Sequence, residues 1–318
     1  MKIAFVGKGG AGKSTLAALF IRYLQSQGRA ILAIDADLNM NLGGLLGVSF
    51  PRERLLAAPA VSHALRSFLR GTNNRVRDAA SFLPTTPPAA GSNVVRRHDQ
   101  PQLSKYSVDV DPRLRLMTVG TYEGSGIGQT CYHSHLFVAE NLLSHTDARD
   151  FDIVVDMVAG TDSFAYSMYL QFDALVLVAE PTPESAEVCS LYLSLAEEAG
   201  IRPLVHLIAN KIECEEDLEF LRKTVGAEPL AYVEHIGTLK RLRQAGGSIP
   251  SECCTHSAQE ALRAAESAAR NPTISAQIRC HMLYELHAQL CKKDWVQSAY
   301  GDVTGHVDIN YTVHGGSL

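Results

Sequence analysis

The residues with the clearest chemistry lie in a glycine-rich loop near the start of the chain, Gly7-Lys8-Gly9-Gly10-Ala11-Gly12-Lys13-Ser14-Thr15. Glycines let backbone N–H groups surround a polyphosphate at close range. Lys13 is placed to reach the β- and γ-phosphates, and the Ser14 hydroxyl is placed to bind Mg²⁺. The loop therefore predicts a site for a nucleoside triphosphate and magnesium.

The segments on either side of the loop are those that such a site requires. Ile3-Ala4-Phe5-Val6 has the composition of a buried strand, and Leu16-Ala17-Ala18-Leu19-Phe20 begins a helical pattern. A helix that starts behind the loop directs its positive dipole end at the phosphates. The predicted phosphate-binding residues are Gly9, Gly10, Ala11, Gly12, Lys13, Ser14 and Thr15.

Two carboxylates follow the next predicted strand. The apolar run from 30 to 34 ends in Asp35 and Asp37. Acidic side chains at the carboxyl end of a strand beside a phosphate loop are well placed to bind magnesium and water. The alternative is a pair of carboxylates that only keep a strand end hydrated.

Composition limits the class of protein further. A chain of 318 residues with 46% hydrophobic and 20% charged residues is typical of a globular protein with a large core. The net charge of −5 argues against a general nucleic-acid-binding surface. No apolar run is long enough for a membrane span, and the first residues lead into a strand rather than a signal peptide. Seven scattered cysteines indicate a reducing compartment, so we expect a cytoplasmic location.

Lys8 is a second cation in the loop, at a position where a plain phosphate loop needs none. The pattern GKGGxGKS resembles the deviant Walker A motif. That family includes the nitrogenase iron protein, the septum-placing and plasmid-partitioning ATPases, the arsenite-pump ATPase and the nickel-insertion ATPases of carbon monoxide dehydrogenase. The resemblance implies a homodimer in which Lys8 contacts the nucleotide of the opposing subunit, as an arginine finger does. The alternative is a solvated lysine on a turn.

Two further segments resemble the nucleotide switches of the same family. Asp35-Ala36-Asp37-Leu38-Asn39-Met40-Asn41-Leu42 is similar to switch I. This similarity implies that Asp37 orients or deprotonates the attacking water and that Asp35 holds the magnesium shell. The apolar strand ending in Asp156 is followed by Ala159 and Gly160, as in the Walker B and switch II segments. By resemblance, Asp156 binds magnesium through water, and Gly160 lets the backbone approach the γ-phosphate.

A pocket for the base is predicted near residue 210. Asn210 and Lys211 follow an apolar strand and match the base-recognising Asn-Lys pair. The Asn amide can both donate to and accept from an adenine edge, and the Lys stem can cover the ring. Val233 lies in a segment that resembles the IPYDE segment of the family, and we expect it to close the pocket. The predicted ligands are therefore ATP and ADP.

The segment from Gly120 to His133 resembles the GTxxGGGxGCxC segment of the nickel-insertion ATPases, in which a C-x-C pair from each subunit binds a metal at the dimer interface. Here Cys131 is kept, and His133 stands in place of the second cysteine. Two copies of Cys131 and His133 would give a Cys₂His₂ site suited to Zn²⁺ or Ni²⁺. The alternative is a buried cysteine and a surface histidine before a helix.

Alternating strands and helices predict an α/β fold, a doubly wound and mainly parallel P-loop sheet of about seven strands. We expect one ATPase domain over residues 1–292, with an insertion at about 50–105 and C-terminal helices, and a tail over 293–318.

The first functional hypothesis is a dimeric, ATP-hydrolysing switch that assists metal-centre assembly in a client such as carbon monoxide dehydrogenase. The alternative is a regulatory or partitioning ATPase that binds a protein or DNA without metal. A nucleotide-gated electron donor would need a second suitable cysteine near Cys131.

Overall fold

Short runs of apolar side chains form the centre of one eight-stranded sheet in the computed structural model, which describes residues 1–121, 132–250, 254–311 and 313. The strands are Lys2–Gly7 (β1), Ile31–Ala36 (β2), Val108–Asp111 (β3), Leu114–Thr118 (β4), Asp152–Met157 (β5), Ala174–Ala179 (β6), Val205–Ile212 (β7) and Ala231–Glu234 (β8). Their order across the sheet is β3-β4-β2-β5-β1-β6-β7-β8.

The predicted fold class is confirmed, with a difference of one strand. The ladders from β4 to β8 are parallel, whereas β3 pairs antiparallel with β4 at the edge. β3 alternates valine and aspartate over four residues, which is too short a pattern to separate from a loop in the sequence. The parallel strands bring their carboxyl ends to one edge of the sheet, where Asp35, Asp156 and the phosphate loop lie.

Helices cover both faces of this sheet. They span Lys13–Ser26 (α1), Asn41–Leu46 (α2), Pro59–Arg70 (α3), Tyr132–Ser144 (α4), Pro183–Glu198 (α5), Glu215–Val225 (α6), Gly237–Gln244 (α7), His256–Arg270 (α8), Ala276–Leu290 (α9) and Asp294–Tyr300 (α10). Ile3 and Phe5 of β1 belong to the core shared with α1 and α8, whereas Ala4 and Val6 belong to the core shared with α4 and α5. This alternation is the period of a strand buried on both faces. None of the described helices is long and apolar enough to cross a membrane.

The C-terminal residues differ from the expected tail. Residues 294–300 form α10, and the following residues pack onto the insertion. The small core that joins these two parts consists of Leu83, Leu290, Cys291, Val296 and Val303. Apolar periodicity could not reveal it, because the two buried residues that α10 and the segment after it supply to this core, Val296 and Val303, are seven positions apart and lie in different elements. Residues 312 and 314–318 lie outside the described part of the chain.

Two buried histidines connect the same parts by hydrogen bonds. His287 Nε2 donates to the Val303 carbonyl oxygen (3.1 Å), so its Nδ1 accepts from the Thr85 hydroxyl (2.8 Å). His306 Nδ1 lies 3.2 Å from the Thr86 hydroxyl oxygen. Burial lowers the pKa of both rings, that of His306 to about 4. The two ring centroids are 5.7 Å apart. The proline-rich stretch around these threonines is a buried loop.

We expect acid to weaken this contact. His306 titrates near pH 6.5 when unfolded but near pH 4 when folded, so its contribution to stability is complete above pH 6.5 and falls as pH drops toward 4. His306→Asn should reduce the loss of unfolding free energy between pH 7 and pH 5 by about 1–2 kcal/mol. Urea unfolding at the two pH values measures this loss, with the exposed His63→Asn as control. Equal pH dependence in wild type and His306→Asn would contradict the assignment.

Candidate functional site

The phosphate loop leaves β1 through a crowded backbone position. Gly7 has φ 128°, and a Cβ placed there would lie 2.5 Å from the Val178 carbonyl oxygen of β6. The Gly160 N–H donates to the Gly7 carbonyl oxygen (3.0 Å), which joins the loop to the segment after β5. Only glycine fits this position, because a side chain would meet backbone atoms that cannot move aside. The loop and the predicted switch II segment are therefore in direct contact.

Lys13 lies at the start of α1 with its side chain buried in the site. Its Nζ donates to the Lys8 carbonyl oxygen at 3.2 Å. Burial lowers the pKa of Lys13, and the nearby Asp156 and Asp37 carboxylates oppose that shift. The ammonium group thus lies among the groups expected to handle phosphate and magnesium, and it is poorly solvated there.

Asp35 and Asp156 lie side by side because they pair in register on the adjacent strands β2 and β5. Both are fully buried. Asp35 accepts backbone hydrogen bonds from Asp37 (3.2 Å) and Leu42 (2.8 Å). Among the described residues, neither Asp156 oxygen has a hydrogen-bond partner of good geometry. An orphaned Asp156 carboxylate beside a second buried carboxylate, with the Ser14 hydroxyl close by, fits a hard divalent cation.

The raised pKa values of these two carboxyl groups reflect two negative charges that are buried close together. Burial raises the pKa of Asp156 to about 7, although Ser14 and Lys13 oppose the shift. Burial and the charge of Asp156 raise the pKa of Asp35 well above its usual value. The described part of the chain has no group of three or more His, Cys, Asp or Glu side chains that could hold a metal ion. A cation here would therefore take its remaining ligands from Ser14, water and the nucleotide.

Asp37 occupies the turn after β2, almost fully buried. Its Oδ1 accepts from the Asn39 backbone N–H (2.8 Å) and from the Asn39 side-chain amide (2.9 Å). Met40 follows with φ 48°, a left-handed conformation that is uncommon for a residue with a side chain. The carboxylate is thus held in one orientation at the carboxyl edge of the sheet, close enough to affect the pKa of Lys13.

The predicted base-binding residues lie together behind the phosphate loop. A cavity of about 170 Å³ is lined by Asn210, Lys211 and Val233, and also by His235. The Asn210 side-chain amide donates to the Ala11 carbonyl oxygen (2.7 Å), which fixes it against the loop. His235 was not predicted from the sequence. It follows β8 in a segment with no motif of its own, and its ring nitrogen Nδ1 lies 2.9 Å from a Glu213 carboxylate oxygen.

Glu180, at the end of β6, is a second residue that the sequence did not single out for the site. Its two carboxylate oxygens face two lysines, with Lys8 Nζ at 3.5 Å and Lys211 Nζ at 2.6 Å. Lys211 Nζ also donates to the Gly10 carbonyl oxygen (2.6 Å). In the sequence Glu180 lies shortly before the start of α5, and acidic residues are common near a helix start. Its two partners are 172 and 31 residues away along the chain, so spacing gave no signal.

The two residues predicted to bind a transition metal, Cys131 and His133, cannot be placed as the nucleotide-site residues can. Cys131 lies outside the described residues, together with 122–130. The position of His133 falls in the first turn of α4, but its side chain is not among those described. The Cys131 and His133 site therefore stays a prediction.

A phosphate loop that follows the central parallel strand β1, with aspartates on β5 beside it and on β2 one strand further, is the arrangement of P-loop nucleoside triphosphatases. Residues 3–246 match the family model described as the CobQ/CobB/MinD/ParA nucleotide binding domain, and the chain belongs to this family. It is an ATPase, and ATP-binding proteins are among its relatives.

Two curated relatives cover most of the chain. The chain is 32% identical over 224 residues to the carbon monoxide dehydrogenase accessory protein CooC of Rhodospirillum rubrum, covering 70% of this chain and 78% of that protein. It is 27% identical over 242 residues to an ATP-binding protein of Methanocaldococcus jannaschii, covering 74% and 85%. The resemblance to this family inferred from the loop and switch segments is confirmed.

Solved structures show the same fold. The MinC:MinD cell division complex of Aquifex aeolicus aligns with a TM-score of 0.54 at 17% identity, covering 85% of this chain and 96% of that chain. The septum site-determining protein MinD of Pyrococcus horikoshii, complexed with Mg-ADP, aligns with a TM-score of 0.53 at 18% identity, covering 84% and 94%.

Proposed function

We propose that this ATPase works as a dimeric switch that assists assembly of a metal centre, with nickel as the cargo, in carbon monoxide dehydrogenase or a related client enzyme. The observation that carries the proposal is the 32% identity to a carbon monoxide dehydrogenase accessory protein across 224 residues. We assign this function to the cytoplasm. We assign it to a single domain, residues 1–292, which includes the insertion. Neither a membrane nor nucleic acid is needed for this function.

The nucleotide chemistry follows from the residues around the loop. Gly9, Gly10, Ala11, Gly12 and Thr15 would bind the phosphates together with Lys13, and Asn210, Lys211 and Val233 would enclose adenine. Ser14, Asp35 and Asp156 would hold Mg²⁺, which neutralises phosphate charge during hydrolysis. Supporting this assignment, Asp156 is a buried carboxylate whose oxygens are orphaned among the described residues.

Asp37 would direct hydrolysis. It orients a water molecule toward the γ-phosphorus and accepts a proton from it while a water oxygen–phosphorus bond forms. The bond from the γ-phosphorus to the bridging oxygen breaks, and ADP and inorganic phosphate leave. Lys8 of the second subunit stabilises the charge that develops on the transferred group. Gly160 contacts the loop through Gly7, so departure of the γ-phosphate can change the segment that follows β5.

The output of the switch would be a metal site formed across the dimer. Closing two ATP-bound subunits would bring together two copies of Cys131 and His133, which supply thiolate and imidazole ligands for Ni²⁺ or Zn²⁺. Hydrolysis would open the dimer and release the metal to the client. Because α4 begins at Tyr132, position 133 lies in the first turn of a helix that packs on the sheet.

Metal content of the ATP-bound dimer tests this proposal. We expect about one Ni²⁺ or Zn²⁺ per dimer in the wild type and at least a tenfold weaker affinity in Cys131→Ser/His133→Ala. Mass spectrometry of metals and equilibrium dialysis measure both quantities. Cys214→Ser/His63→Ala removes an exposed cysteine and an exposed histidine elsewhere and should bind metal as the wild type does. An ATP-dependent dimer without specific metal would instead favour a regulatory or partitioning ATPase that binds a protein or DNA partner, for which the likeness of fold to MinD is the support.

A further inference from the structure

The contact between Glu180 and Lys8 bears on how a dimer forms. Lys8 is the residue proposed to act on the nucleotide of a second subunit. Its Nζ lies 3.5 Å from Glu180 Oε1 of its own subunit, and about a third of its side chain is exposed. A lysine engaged with a carboxylate must leave that contact before it can bind phosphate elsewhere.

Glu180 is itself fixed in place. Its side chain is only 13% exposed, and its Oε2 accepts from Lys211, which also binds the Gly10 carbonyl oxygen. Its backbone N–H donates to the Ser185 hydroxyl (3.0 Å), at the point where β6 leads into α5. Lys211 has φ 63°, a left-handed conformation that the surrounding contacts must maintain. The carboxylate is therefore a fixed partner for the partly exposed Lys8 side chain.

We propose that Glu180 is a positioning residue that holds Lys8 on its own subunit until a second ATP-loaded subunit offers its phosphates. This inference rests on the proposed dimeric function. A symmetric dimer requires two Lys8 residues to leave two Glu180 residues, so the cost of breaking the contact counts twice. Glu180 thereby sets the protein concentration at which ATP drives dimerisation and hydrolysis.

The hold itself can be tested in the nucleotide-free protein. Glu180→Gln keeps the size and an acceptor oxygen of the side chain but removes its charge. We expect an amine-reactive ester, followed by peptide mass spectrometry, to modify Lys8 roughly threefold faster in Glu180→Gln than in the wild type. Exposed Lys105 should react equally in both proteins. An unchanged rate of Lys8 modification would show that Glu180 does not hold Lys8.

The effect on dimerisation needs a second measurement. In the Asp37→Asn background, which is expected to block hydrolysis, sedimentation with ATP should give a dimer dissociation constant about tenfold lower for Glu180→Gln. With Asp37 intact, half-maximal turnover should occur at a correspondingly lower protein concentration. A purely structural role would not lower this concentration. Glu184→Gln makes the same charge change on an exposed side chain four residues away and should have no effect.

The role of Glu180 and the proposed ATP-dependent dimer can fail separately. An equal or weaker dimer in Glu180→Gln overturns the role in setting the threshold. If neither protein dimerises with ATP, the proposed dimeric function fails and the threshold role fails with it. The labelling rate then still decides whether Glu180 holds Lys8 within one subunit.

Discussion

Lys8→Ala is expected to lower ATP turnover at saturating protein by about 10³-fold, because it removes the cation proposed to act on the transition state from the second subunit. Affinity for ADP should stay within about threefold of the wild type, since Lys13 and the backbone of the loop are unchanged. Steady-state phosphate release and calorimetric titration with ADP measure the two quantities. Lys105→Ala, at an exposed lysine in the insertion, is the control.

Mixing two inactive variants distinguishes action across the interface from action within one subunit. Lys13→Ala lacks a functional loop but still carries Lys8, whereas Lys8→Ala has an intact loop and lacks only that lysine. An equal mixture should regain about a quarter of wild-type turnover, because half of the dimers are mixed and each has one complete site. No recovery in a mixture shown to exchange subunits would contradict the role across the interface.

The second large effect is expected at Asp37. Asp37→Asn should lower single-turnover hydrolysis by about 10²–10⁴-fold, because an amide cannot accept a proton from the attacking water. Asn39 should still donate its backbone N–H to residue 37, since an Asn side-chain oxygen accepts as a carboxylate does. ATP should therefore remain bound and the dimer should persist, whereas the wild type returns to monomers as ATP is consumed.

Rapid-quench hydrolysis and size-exclusion chromatography with ATP and with ADP measure these outcomes. Asp150→Asn, at an exposed aspartate before β5, controls for the loss of one negative charge. Wild-type turnover in Asp37→Asn would show that another group orients the attacking water and accepts its proton. Loss of ATP binding would show that Asp37 contributes to binding ATP rather than to the hydrolysis step.

The phosphate loop and the strands and helix next to it could be predicted, because each is recognised from residues that are neighbours in the sequence. The loop that ends at Thr15, the strand before it and the helix that follows are contiguous, and each has its own pattern. The apolar run that ends in Asp156 gives β5 directly. A strand with apolar residues on both faces also requires helices on both sides, which gives the doubly wound class.

The rest depends on residues that are distant in the chain. That Asp35 and Asp156 lie side by side follows from the order of β2 and β5, which no spacing in the sequence encodes. Glu180 meets Lys8 only because β6 lies next to β1. The ordered C-terminal segment escaped prediction for the same reason, since its few apolar residues pack on an insertion more than 200 positions earlier.

This last contact has a consequence for the order in which the chain folds during synthesis. Thr85 bonds to His287, 202 residues later, and Thr86 to His306, 220 residues later. The proline-rich loop is therefore translated long before its partners exist, and contacts between distant residues are slow to form. While the ribosome completes the sheet, Leu83 lacks the apolar surface that later covers it. The insertion can finish packing only after α9 and α10 have emerged from the ribosome.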